Sequence, residues 1–388
     1  MWSDKKCINY IVNILLFAVA INLFHYGQFF LPVICLILFI DNHFQFRVSN
    51  LKSFILLCFF SISFFLFSYR MGFYSVMGFC LPMAYYIGSN LKENSEENMK
   101  KLLYLLAFGM AAHLVLNLFL EFYYWHDDLS YMFNKPSHYD FWLRGKVRTT
   151  VMSTNYLLIL SCVYYLFRFE RNRVLKWIGF MLFALSSVYC VALGRRTTFL
   201  ILLLSLFFAC TYDLLFITKK ISRKHLIRSF VAVLMVAVSF YFDLFHINEE
   251  IRQVSLIQRF IHKGLFTERF TILKESLPLF FKYFWGGQQI SNETGYLIHD
   301  LWGDIYDYAG IIPFLCVLSY SFMVLTNICK TNVKKEKSAF HLLIFDWFIS
   351  CSLIFFLEPV MTGSSIYLIC YIIIAACLDF RKKSIEIV

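Results

Sequence analysis

The stretch Thr197–Ile217, TTFLILLLSLFFACTYDLLFI, carries Asp213 as its one charged residue at neutral pH. A run of this kind matches the ~30 Å hydrocarbon core of a bilayer, which takes about 20 residues of helix. Similar runs recur along the chain, which is 60% hydrophobic, 20% aromatic and only 16% charged, far from the composition of a soluble domain. Twelve spans are predicted, at 8–24, 28–40, 51–69, 71–89, 102–120, 150–167, 174–193, 197–217, 227–245, 303–328, 339–357 and 360–379. The fold class expected is an all-α polytopic membrane protein, a single integral membrane domain over 1–388.

Charge orients these spans, because short cytoplasmic loops keep Lys and Arg. With the N-terminus inside, about two thirds of the 36 Lys and Arg fall in cytoplasmic segments. Both termini are then cytoplasmic, and two long loops, 121–149 and 247–302, face outward. The net charge of +11 reflects this orientation, so no nucleic-acid partner is expected. Met1–Lys6 and the apolar run after it resemble a signal peptide, but Phe24-His25-Tyr26-Gly27 supplies no small-residue cleavage site, so the segment reads as a retained span. None of the 12 cysteines lies in a long outer loop or in a C-x-x-C pair, which argues against disulfides, structural zinc and thiol redox chemistry.

Long loops are uncommon without a function, so the working surface is expected on the outer face. There, Leu193-Gly194-Arg195-Arg196-Thr197-Thr198 sets two guanidinium groups in a tight turn. Arginine suits phosphate because its planar fork bonds two oxygens and stays charged; snorkelling to lipid headgroups is the plainer use. Within the large loop, Arg269-Phe270 through Phe280 reads as an interfacial amphipathic helix, broken near Pro278 and ending at Trp285-Gly286-Gly287. His299 then stands at the entrance to the tenth span beside Asp300, with Asp304 and Asp307 following on one helical face. A boundary imidazole next to a carboxylate suits general-base work. The two later aspartates read as residues favoured by a helix start. Inside the spans, His113 and Asn117 lie one turn apart as interhelical hydrogen-bond glue or a functional pair, while Asp213 and Asp346 fall toward cytoplasmic ends.

In this order, Leu193-Gly-Arg195-Arg196-Thr-Thr, Arg269 with its apolar stretch and Gly-Gly, Gly295-Tyr-Leu-Ile-His299-Asp300-Leu-Trp302 and Tyr308-Ala-Gly310-Ile-Ile-Pro313-Phe, the chain resembles the bacterial O-antigen polymerase and ligase superfamily. The first 190 residues add only hydrophobicity to the likeness. The resemblance implies a C-type glycosyltransferase-like fold in the bacterial inner membrane, its site facing the periplasm. It implies that Arg196, with Arg195 as the competing register, and Arg269 bind the diphosphate of an undecaprenyl-linked oligosaccharide. His299 would orient or deprotonate the acceptor hydroxyl, with Asp300 where the family commonly has asparagine. No metal and no cofactor are implied; a chain-length regulator, a flippase and membrane lipids are the expected partners. The acceptor distinguishes a polymerase, which extends another lipid-linked repeat, from a ligase, which transfers to lipid A core. A polysaccharide or lipid-linked sugar transporter is the third reading, since twelve spans with both termini inside is also a carrier plan.

Overall fold

Several helices in this chain begin where a polar side chain takes up the free N–H groups of a first turn. Ser95 accepts from Asn98 N, Asn172 from Val174 N and Leu175 N, and Ser338 forms a reciprocal capping box with His341. The computed structural model describes residues 5–68, 73–91, 95–127, 132–133, 138–143, 145–147, 149–194, 196–218, 267–298, 300–334, 338–358, 360–363 and 365–386. The expected ninth span, the first part of loop 247–302 as far as residue 266, Arg195 and His299 lie outside these residues.

The elements are α1 (Lys5–Ala20), α2 (Phe30–Asp41), α3 (Leu51–Ser68), α4 (Phe73–Val76), α5 (Cys80–Asn90) and α6 (Glu96–Trp125). A short antiparallel hairpin follows, β1 (His138–Asp140) with β2 (Gly145–Val147), in the register His138↔Val147. Then come α7 (Thr149–Arg168), α8 (Arg173–Ala192) and α9 (Arg196–Tyr212), the last continued by a π turn over Asp213–Ile217. The remainder is α10 (Thr267–Phe280), α11 (Gln289–Thr294), α12 (Leu301–Ala309), α13 (Ile311–Lys334), α14 (Ala339–Leu357), α15 (Val360–Gly363) and α16 (Ser365–Glu386).

Among the described residues, six helices are long and apolar enough to cross a membrane: Leu51–Ser68, Glu96–Trp125, Arg173–Ala192, Thr197–Ile217, Ile311–Cys329 and Ala339–Leu357. On α3, Ile55, Phe59, Ile62 and Leu66 form a stripe at spacings of four and three, each more than half exposed. Water would not tolerate several such faces; hydrocarbon does. The chain is therefore a membrane-embedded all-α protein. α16 takes the opposite position: Ile366 through Cys377 are all buried, so it is enclosed by other helices. Its closest neighbour is α5, where a Cβ on Gly88 would come within 2.3 Å of the Ile373 carbonyl. Lipid offers no hydrophobic drive between helices, so this close backbone approach secures the packing through van der Waals contact.

Two expectations need correction. The tenth span is not one helix: Gly310, at φ 82 and ψ −168, separates α12 from α13, because that conformation ends the first helix. α10 ends at Phe280, two residues past Pro278, where the sequence predicts the break. Asp346 is not near a helix end in hydrated surroundings; it is fully buried in the bundle, accepting from the Ser205 hydroxyl at 2.5 Å.

The two ends of the bundle differ. One gathers Asp379, hydrogen bonded by Tyr85 and Asn327, with Glu170 beside Lys100 and Tyr104, and Asp213 beside Tyr164 and Arg168. The other carries the β-hairpin, the turn between α8 and α9, and the layer formed by α10, α11 and α12. The antiparallel pairing of α9 with α14, through Ser205 with Ser350 and Tyr212 with Phe345, places the start of α9 at this hairpin end.

Candidate functional site

At the hairpin end, α6 turns His113, Asn117 and Glu121 to one face at intervals of four, and all three are buried. Asn117 Oδ1 accepts the Phe141 N–H at 2.8 Å, and Glu121 Oε1 accepts the Tyr139 N–H at 2.5 Å. The two side chains thus hold the backbone on either side of Asp140. Between them Asp140, fully buried, takes four donors. Its Oδ1 accepts the Trp142 N–H at 2.9 Å, the Leu143 N–H at 3.2 Å and His25 Nε2 at 2.6 Å; its Oδ2 accepts His113 Nε2 at 3.0 Å. Burial pushes the Asp140 carboxyl up, but the hydrogen bonds and charge of His113 and His25 outweigh it and hold it well below the usual carboxylate range.

His25 reaches this carboxylate from the turn after α1, where Asn22, Phe24 and His25 all have positive φ, at 51, 53 and 62. Non-glycine residues in that region cost on the order of 1–2 kcal/mol each, so the turn keeps this shape only because the contacts around it require it. The His25 side chain is 25% exposed whereas those of His113 and Asp140 are buried, so the cluster opens to its surroundings on the His25 side. Trp142 covers the other flank, its Nε1–H donating to the Ile21 carbonyl at 3.3 Å. Nearby, buried His138 Nδ1 stands 3.5 Å from Glu121 Oε1.

Of the residues singled out by sequence, the start of α9, the first turn of α10 and Asp300, Asp304 and Asp307 fall at the same end, without being drawn into one described contact. Arg196 opens α9 and Arg269 lies in the first turn of α10. Asp300 is the N-cap of α12, its Oδ1 accepting the Gly303 N–H at 2.6 Å. A Cβ on Gly303 would come within 2.4 Å of Ile298 and 2.9 Å of Asp300 Oδ2, so glycine is what lets the chain on either side of residue 299 close onto the helix. Asp307 also serves the local fold: its Oδ1 accepts the N–H groups of Ile290 and Ser291, and its Oδ2 the Ser291 hydroxyl. Asp304 is buried in the same helix.

Two of the sequence motifs do meet. Ile311 N donates to the Phe284 carbonyl at 2.9 Å, Gly287 N to that of Tyr308 at 3.0 Å and Gln288 N to that of Asp307 at 2.7 Å. Trp285-Gly286-Gly287 is thereby stitched to Tyr308-Ala309-Gly310. The two glycines permit it, since a Cβ on Gly286 would lie 2.5 Å from Gly310 N, and one on Gly310 2.3 Å from the Phe284 carbonyl. Trp285 also stacks on Phe67 at the end of α3, at 5.4 Å.

Sequence reasoning missed His25 and Asp140, which are 115 positions apart. The available signal was on α6: Glu121 extends the His113, Asn117 series by one further turn, which marks a buried polar face in need of a partner. The chain matches no family model and no curated protein.

Proposed function

We propose that this chain is a membrane-embedded glycosyltransferase that polymerises undecaprenyl-diphosphate-linked oligosaccharide repeat units on the periplasmic face of a bacterial inner membrane. On this reading the chain has twelve spans with both termini in the cytoplasm, and the hairpin end faces the periplasm. The observation that carries it is convergence: the start of α9 with Arg196, the N-cap Asp300 and the stitched glycine motifs occupy one end of the bundle. The three weak sequence motifs thus share a location, as a common site would demand.

The reaction is inverting transfer. An acceptor sugar hydroxyl attacks the anomeric carbon, a new glycosidic C–O bond forms, and the bond to the diphosphate breaks with its electron pair leaving on undecaprenyl diphosphate. His299 receives the hydroxyl proton, and Asp300, by capping α12, is a positioning residue that fixes where the neighbouring imidazole begins. Arg196 or Arg195, together with Arg269, meets the charge that develops on the departing diphosphate. The test is genetic and chemical: delete the gene, restore it with Arg196→Ala, Arg269→Ala or His299→Ala, and resolve surface polysaccharide on a gel. Single repeat units on the core are expected for each variant; a wild-type ladder from all three would overturn the reading. Complete absence of polysaccharide from core with polymer accumulating on the lipid carrier would instead identify a ligase.

One observation favours a carrier as the second reading: Asp346 is fully buried and its Oδ2 finds no hydrogen-bond partner among the described residues. Intramembrane carboxylates of this kind mark transport pathways. Loss of all function in Asp346→Asn with Arg196→Ala active would select it.

A further inference from the structure

We infer that His25, His113 and Asp140 form a binding site for a first-row divalent metal ion of the zinc class, which ties the turn after α1 and the β-hairpin to α6. The ligand atoms, one from each residue, all lie within 4.8 Å of one another. They come from three chain segments: a strained turn, a helix and a hairpin. Each imidazole faces a different oxygen of the carboxylate, His25 Nε2 at 2.6 Å from Oδ1 and His113 Nε2 at 3.0 Å from Oδ2. That is the disposition of two nitrogens flanking a chelating carboxylate. Zinc takes nitrogen at ~2.0–2.1 Å and carboxylate oxygen at ~2.0–2.2 Å, so binding asks the two rings to draw together by about 1 Å. The strained turn carrying His25 is the element free to make that adjustment.

The surroundings suit a metal as well as the ligands do. Trp142 N–H and Leu143 N–H orient the Asp140 carboxylate, and Asn117 and Glu121 fix the strand that carries it, so outer partners for the anionic ligand exist before an ion arrives. The His25 ring's other nitrogen, Nδ1, lies 3.4 Å from the Asn22 side-chain amide. On binding, both Nε2 atoms give up their protons, each ring keeping one on Nδ1 or releasing it to solvent; at His25 the amide oxygen of Asn22, turned over, accepts the Nδ1–H in exchange for the Gly27 N–H that it holds at 3.3 Å. Two imidazoles with a single carboxylate favour zinc over magnesium or calcium, which take sets of oxygen ligands. The partly exposed His25 edge leaves room for a fourth ligand, water or an incoming group.

None of the three ligands is among the residues assigned to glycosyl transfer, and the test reads metal directly. Untagged full-length protein in detergent is stripped with chelator, equilibrated with zinc, freed of excess and assayed for metal. One zinc per chain is expected, with a rise in thermal midpoint on zinc addition and the visible bands of tetrahedral cobalt(II) when cobalt replaces it. Asp140→Asn and His25→Ala are expected to weaken zinc binding by about 10–100-fold or more, as loss of metal-site residues does. His25→Ala changes a partly exposed side chain and so tests the site even if Asp140→Asn fails to fold. Sub-stoichiometric zinc with no thermal shift would overturn the inference, as would zinc retention unchanged in folded His25→Ala.

Discussion

Gly310→Ala should open the stitch between the end of the large loop and the start of α13. The new Cβ would lie 2.3 Å from the Phe284 carbonyl oxygen, a backbone atom with no rotamer to escape into, and at φ 82 any L side chain is already strained. Left-handed geometry costs roughly 1–2 kcal/mol. Relief of the clash must separate residues 284–287 from 308–311, which gives up the hydrogen bonds Ile311 N to Phe284 O and Gly287 N to Tyr308 O. At about 1 kcal/mol each, the sum is about 3–4 kcal/mol, or on the order of 100–1,000-fold in local opening. Native-state hydrogen exchange of the Gly287 and Ile311 amides reads that opening directly. Gly286→Ala should behave alike, its Cβ falling 2.5 Å from Gly310 N. Gly287→Ala and Gly295→Ala should each cost only about 1 kcal/mol, because their φ values are positive but no atom lies within 4 Å of the added Cβ. Protection of Gly287 and Ile311 that falls no further in Gly310→Ala than in Gly295→Ala would refute the reasoning.

Other perturbations separate the remaining ideas. Asn117→Ala leaves the Phe141 N–H without its acceptor, a cost of about 1–3 kcal/mol, and should speed tryptic cleavage within 144–148 at least several-fold; an unchanged cleavage rate would show that the hairpin is held by other means. Glu170 accepts from Asn172 N, Lys100 and the Tyr104 hydroxyl; burial pushes its carboxyl up, but these partners prevail and hold it below the ordinary range. A depressed carboxylate stabilises the fold above its unfolded pKa of about 4.3 and loses that contribution as pH falls through the folded value. The thermal midpoint should therefore drop on acidification below about pH 5, and more steeply in the wild type than in Glu170→Gln; identical profiles would dismiss the Glu170 contribution. Asp346→Asn keeps a hydrogen-bonding group at Ser205 and should leave a polysaccharide ladder intact, with loss of the ladder pointing to the carrier reading.

The helices were legible because their length and apolarity are local properties. The break at Gly310 was not, since Ile311, Ile312 and Phe314 continue the hydrophobic run and a glycine alone does not reveal a positive φ. Pro278 was a fair local signal, since the helix stops two residues after it. His113 and Asn117 were legible as a polar pair in a span, but their partners were taken to be on another helix. They are instead in a hairpin and, for His113, beside a turn that lies 115 positions before Asp140 along the chain. No local pattern encodes that meeting, because each segment supplies one group and the closure is made only by tertiary packing.

The enclosure of α16 bears on how the molecule is made. Synthesis delivers α1, α5, α6, α7 and α13 before α16, yet all of them contact it in the finished bundle. The earlier helices must therefore assemble around a vacancy, or remain loosely associated, until residues 365–386 leave the ribosome and fill it. Assembly of this bundle is then completed from its end inward, and a chain arrested before α16 would carry all the outward, lipid-facing stripes of the mature protein with nothing at its centre.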